Sequence, residues 1–186
     1  MKKGFTLAEV LITLAILGVV AAVTLPNMVQ DTKYQQLGVE LSKFASTLEN
    51  AATAYAVGLG GNIQSNNGTI NDEVKEFAAS TFLTDDGNSF TVASDYTPKN
   101  IKGGHSIVIW DTSFLPDSVD TNIVGVGAFD ITFKPNIKGI NKTFVFTVTT
   151  KGYVYPSSTD SCIKDIYDNN WKVTPSMFKT GGKCVY

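Results

Sequence analysis

The sequence contains no arginine; all fifteen of its basic residues are lysine. A guanidinium is the side chain that grips phosphate or a base edge through two parallel hydrogen bonds, so its absence leaves such recognition poorly served. The formal net charge of -2 gives no basic footprint for nucleic acid. Lys134, Lys138, Lys142 and Lys151 are the sole candidates for a basic patch. His105 is the one histidine, and with two cysteines it does not complete a tetrahedral zinc site. Gly-rich phosphate loops, G-x-S-x-G, H-E-x-x-H and C-x-x-C are all missing. His105 could join a Ser-His-Asp set only if distant residues converged on it, so nothing here marks an enzyme.

What the chain does have is an uneven distribution of apolar residues. Residues 5–25 read FTLAEVLITLAILGVVAAVTL, with Glu9 as the one charge. As a helix this stretch spans about 31 Å, the thickness of a bilayer core. Lys2 and Lys3 precede it, so the positive-inside rule keeps the N-terminus cytoplasmic and sends the rest of the chain outward. A basic start, an apolar run and the small residues Ala21 and Ala22 also fit a secretory signal peptide or a plain anchor. Neither explains Glu9. A carboxylate in an apolar span costs a few kcal/mol on insertion scales and calls for a partner.

The run Lys2-Lys3-Gly4-Phe5-Thr6-Leu7-Ala8-Glu9 resembles the class III signal of type IV prepilins and of the pseudopilins of type II secretion. Its elements are a short basic leader, a glycine, an aromatic hydrophobe, and a glutamate four residues after it. Pro26 matches the proline that kinks the pilin helix near the end of its membrane half. The resemblance implies that a membrane-embedded prepilin peptidase cuts between Gly4 and Phe5, and that Phe5 becomes the N-methylated terminus. A backbone without a side chain at Gly4 can enter a protease cleft in extended form. It further implies that Glu9 neutralises the Phe5 amine of a neighbouring subunit, so that only the correct axial stagger satisfies both charges. The implied partners are other pilin or pseudopilin subunits, in a homo- or hetero-polymer, together with an inner-membrane assembly platform and its cytoplasmic ATPase. A single-pass protein of the inner membrane with its head outside follows, assembled into a periplasmic or cell-surface filament, pilus or pseudopilus. The rival reading is a minor or tip pilin that binds a surface, DNA or secreted cargo.

Beyond Pro26, Tyr34, Leu37, Leu41, Phe44, Leu48, Tyr55 and Leu59 form one apolar stripe. Gln30, Lys33, Gln36, Glu40, Lys43, Thr47 and Asn50 form the opposite face. A stripe of this length fits a coiled coil or, as the reading preferred here, a face packed on a sheet of the same chain, and Gly58, Gly60 and Gly61 stop the helix. Asn71 or Asp72 caps a short helix through Ser80 with Val74, Phe77 and Ala78 as its apolar face. Strands are expected over 106–111, 129–134, 143–151 and 153–155. The expected class is α+β: a long helix packed on a small antiparallel sheet, with a disulfide-bounded C-terminal loop.

The corresponding boundaries are a leader 1–4, a transmembrane half-helix 5–25, an amphipathic half-helix 26–58, a connecting region 59–105, the sheet 106–156 and an irregular loop 157–186. In an exported chain Cys162 and Cys184 read as a disulfide, and otherwise as two reduced buried thiols. Tyr153, Tyr155, Tyr167, Trp171, Phe178 and Tyr186 either pack that loop on the sheet or form a contact surface. Asp85-Asp86-Gly87-Asn88 misses the calcium-loop spacing and reads as a plain turn. No cofactor is expected, with calcium the one exception, since the heads of some pseudopilins hold it.

Overall fold

The computed structural model describes residues 4–63, 72–93, 96–110, 115 and 118–185, without the side chains of residues 26, 27, 29 and 30. Lys2, Lys3, Asn71, Asp111 and Tyr186 therefore lie outside the described residues. Helix α1, Leu7–Gly58, runs unbroken for 52 residues, about 78 Å at 1.5 Å per residue. Its first part, Leu7–Leu25, is apolar and wholly exposed. Its second part is amphipathic, and Leu37, Leu41, Ala45, Leu48, Ala52 and Ala56 are buried. The centre of the stripe thus runs through alanines that let the sheet come close. Tyr34, Phe44 and Tyr55 flank it, partly buried against the core. Leu59 departs from the expectation: it sits past the last turn, 42% exposed, as the C-cap residue. The helix ends there because Gly60 and Gly61 take positive φ and Gly61 donates back to the Ala56 carbonyl at 2.8 Å.

Five strands form one antiparallel sheet in sequence order: β1 Lys99–Ile101, β2 His105–Trp110, β3 Gly127–Lys134, β4 Phe144–Thr149 and β5 Val154–Pro156. Alternation sets its inner face. Ile107, Ile109, Phe129, Ile131, Phe133, Phe144, Phe146 and Val148 are all buried against α1 and helix α2, Asp72–Thr81. Each such side chain contributes about 1.5–3 kcal/mol on burial. Phe44 of α1 stacks on Phe133 with centroids 4.0 Å apart. Within α2, Val74, Phe77 and Ala78 are the buried residues, as the sequence pattern predicts.

Both sheet edges are covered. Thr149 donates to the Tyr153 carbonyl and Ser157 to the Val145 carbonyl, so the amide of Val154 points away from β4. The Glu49 carboxylate on α1 accepts that amide, and Pro156 has none to offer. At the other edge a bridge joins Thr84 to Ile101, and Lys102 donates to the Leu83 carbonyl at 2.9 Å. Among the described residues, neither edge presents a free row of donors for pairing with another chain.

Two regions differ from expectation. The connecting region holds β1, whose three residues are too few to show alternation. The C-terminal region is not irregular: it contains helix α4, Ser161–Asp168, and a 3-10 turn, Pro175–Phe178. A short helix α3, Thr121–Val124, precedes β3. Eight residues of α4 give only Cys162, Ile163 and Ile166 as a buried face, too few for a period to stand out. What starts it is Asp160, 7% exposed. Its carboxylate accepts from Cys162 N at 3.1 Å and Ile163 N at 3.4 Å, and also from Val145 N at 3.2 Å on β4. Cys162 and Cys184 are joined, as an exported chain would have them.

Part of the C-terminal aromatic set packs on the head, one of the two expected roles. Phe178 packs on Tyr34 at 5.2 Å and Trp171 edge-on to Tyr167 at 5.4 Å. Tyr153 and Tyr167 remain more than a third exposed.

Candidate functional site

The singled-out residues fall in two places. Gly4, Phe5 and Glu9 lie at the start of α1, and the disulfide lies in the head. Along the helix Glu9 is about 42 Å from Leu37, the first fully buried core residue, so no single pocket unites them.

At the N-terminus Thr6 adopts an extended backbone, φ -78 and ψ 151, and caps the helix. Its amide donates to Glu9 Oε2 at 2.8 Å and its hydroxyl to the same oxygen at 2.9 Å. The Glu9 amide in turn donates to Thr6 Oγ1 at 3.3 Å. This reciprocal capping box satisfies amides that the first helical turn leaves without intrahelical partners, and it places a carboxylate at the positive end of the helix dipole. Among the described residues nothing donates to Glu9 Oε1. The carboxylate that looked partnerless in the sequence is therefore held within its own chain, by a residue the sequence reading passed over. Its signal was legible: T-x-x-E directly before an apolar run.

Phe5 projects freely, 89% exposed. A Cβ placed on Gly4 would meet nothing within 4 Å, so the fold itself has no need of glycine there. Pro26 lies within the unbroken helix, and its ring is not described. The lysines proposed as a basic patch are partly engaged: Lys142 lies 3.9 Å from Asp160, and Lys151 donates to the Asn122 carbonyl at 2.8 Å. His105 accepts the Asn136 amide on Nδ1 at 3.0 Å and leans on Phe133, a strand-start packing role. Among the described residues no three His, Cys, Asp or Glu side chains come together to hold a metal.

The sequence reading also missed Gly38. A Cβ there would run into the Trp171 carbonyl, so the C-terminal loop lies directly on the backbone of α1. Cys162 at the start of α4 and Cys184 near the end of the chain, 4.8 Å apart at Cα, enclose that loop.

Taken together, an exposed apolar helix of membrane-spanning length, capped at its start by Thr6 and Glu9 and continuing into a helix-on-sheet head, makes an α+β protein whose N-terminal helix is consistent with membrane anchoring. Residues 1–25 match the family described as the prokaryotic N-terminal methylation motif, the class III signal of type IV pilin-like proteins. No curated protein and no solved structure matches the chain. The motif supports a type IV pilin-like protein and a structural role in assembly with other such subunits.

Proposed function

We propose that this chain is a filament subunit, a pilin or pseudopilin, that is cut between Gly4 and Phe5, N-methylated on Phe5, and polymerised through α1. The observation that carries this reading is the methylation motif over 1–25 coinciding with a capped, fully exposed apolar helix. A prepilin peptidase supplies the requirement for Gly4 that the fold lacks. All three capping bonds lie on the mature side of the Gly4–Phe5 bond, so the helix start survives processing intact.

The cut creates a positive amine at Phe5. In the polymer that amine meets the Glu9 carboxylate of the next subunit, whose Oε1 can accept it while Oε2 stays bound to Thr6. Both charges are then paired in hydrocarbon only at one axial stagger, which makes the pair a register device. The anchor holds the chain in the inner membrane with its N-terminus inside and its head outside. A membrane platform and a cytoplasmic ATPase then extrude it into a periplasmic or surface filament.

Glu9→Val tests the pairing. Membrane insertion and cleavage proceed as in wild type, and filament yield falls sharply. A wild-type yield removes the register argument.

A further inference from the structure

Charge is distributed unevenly along the head. Lys33 of α1 donates to the Gly139 carbonyl at 3.4 Å. That contact places the turn over 137–140, closed by Ile140 donating to the Ile137 carbonyl at 3.0 Å, beside the lower end of the amphipathic half-helix. Ile137 and Ile140 are buried, which leaves Lys138 and Gly139 exposed at the tip. One residue along α1, Tyr34 packs on Phe178 at 5.2 Å and holds the 3-10 turn at the same level. Lys179 follows directly, exposed, as the C-cap of that turn. Cations from three separate segments thus share one rim.

Acidic side chains are scarce there. Residues 135–142 hold two lysines and 172–186 hold three, and neither stretch contains Asp or Glu. Lys142 lies near Asp160 and Lys183 is bonded to Asp165. Among the described residues Lys138 and Lys179 have no ion-pair partner. On α1, residues 26–33 contain one acid, Asp31. The opposite end of the head has the reverse sign. Tyr55 donates to the Glu73 carbonyl at 3.0 Å, which brings α2 with Asp72, Glu73 and Glu76 to a level about 33 Å beyond Lys33 along α1.

The apolar span ends at Leu25, and Lys33 lies about 12 Å further along the axis. A headgroup layer adds about 5–8 Å to each side of a bilayer core. The rim therefore stands about 4–7 Å above that layer, within reach of the flexible four-carbon stems of lysine. A zwitterionic surface has no net charge to draw them. An anionic surface favours each nearby lysine about fivefold, and it repels the carboxylates of α2, so the polarity of the head matches that of the interface.

We propose that the membrane-proximal rim of the head, formed by Lys33, Lys138 and Lys179, docks on the anionic headgroups of the bilayer that holds α1. The partner is a phospholipid surface with net negative charge, such as one containing phosphatidylglycerol. The proposal rests on the anchoring of α1 and not on its polymerisation.

Spin-labelled lipids test this on the full chain, transferred from detergent micelles into phosphatidylcholine vesicles. The fraction of label immobilised at the protein is compared for phosphatidylglycerol and phosphatidylcholine probes. At low salt the wild-type chain favours the phosphatidylglycerol probe at least about threefold. The preference fades at about 1 M salt, where the Debye length is about 3 Å. Lys138→Gln combined with Lys179→Gln lowers it at least about twofold, and arginine at both positions keeps it. Lys75→Gln, on α2 at the far end, leaves it unchanged. Lys2 and Lys3 precede the span and are present in every variant, so they cancel from these comparisons. A chain that does not float with phosphatidylcholine vesicles removes the anchor and the proposal with it. The proposal alone is overturned by a chain that floats but shows no phosphatidylglycerol preference, by a preference that survives both glutamine substitutions, or by an equal loss in Lys75→Gln.

Discussion

Gly38→Ala is the substitution that best tests how the head is held together. Gly38 faces the Trp171 carbonyl so closely that a methyl group would overlap its oxygen, with the Trp171 carbonyl carbon and Val173 Cγ2 each 3.4 Å away. The loop has little freedom to retreat. Asn170 and Trp171 both hold positive φ, 54° and 62°. Trp171 donates to the Ile166 carbonyl at 2.8 Å and Asn170 to the Tyr167 carbonyl at 3.0 Å, which fixes the loop to the end of α4. Forcing a methyl into such a contact costs about 1–3 kcal/mol. Alanine returns up to about 1 kcal/mol of helix propensity. The balance is a loss of up to about 2 kcal/mol, or a fall of up to about 8 °C in melting temperature for a chain of this size, and a gap of about 1–3 kcal/mol from a helix glycine without the contact. Gly18→Ala is the control, because a Cβ at Gly18 meets nothing within 4 Å. It gains the propensity term alone. Thermal melts of both variants in the same micelles decide the matter. A Gly38→Ala chain as stable as Gly18→Ala would refute the close approach of loop to helix.

Other consequences follow from the same packing. Asp160→Ala removes the cap of α4 and strands the Val145 amide, so urea unfolding should show a loss of about 2–3 kcal/mol, and Asp160→Asn a smaller one. Reducing the Cys162–Cys184 bond opens a loop worth about 3 kcal/mol in the chain-entropy model; unchanged urea midpoints with and without reductant would contradict this. Burial raises the Glu49 carboxyl above its ordinary value, opposed by the Val154 amide that it accepts. A raised folded value means stability is full below the ordinary carboxyl range and is lost as pH rises through the folded value. Glu49→Gln keeps an acceptor for Val154 without the charge. Its melting temperature should match wild type near pH 4 and exceed it increasingly toward pH 7.

The architecture was legible wherever periodicity ran long enough. The apolar run over 5–25, the stripe through Leu37, Leu41 and Leu48, and the alternation Phe129-Ile131-Phe133 each repeat often enough to fix an element and its buried face. Short elements were not legible. Strand β1 has three residues and α4 only three buried positions, so tertiary contacts rather than local pattern define them. Asp160 is the instructive miss, since its value comes from Val145 as much as from its own helix, and no local window contains both. Gly38 is similar: inside a helix it reads as a weak point, and only the loop folded back from residue 171 explains it. At the N-terminus the miss was avoidable. Thr6 and Glu9 carry a local capping signature that the family resemblance overshadowed.

The most direct measurement is the intact mass and N-terminal sequence of the chain recovered from membranes or filaments. The account predicts that it begins at Phe5, carries one added methyl group on that amine, and retains all of α1. A chain starting beyond Ala22 would contradict it, because the anchor, the charge pair and the helix through which subunits assemble would all be gone.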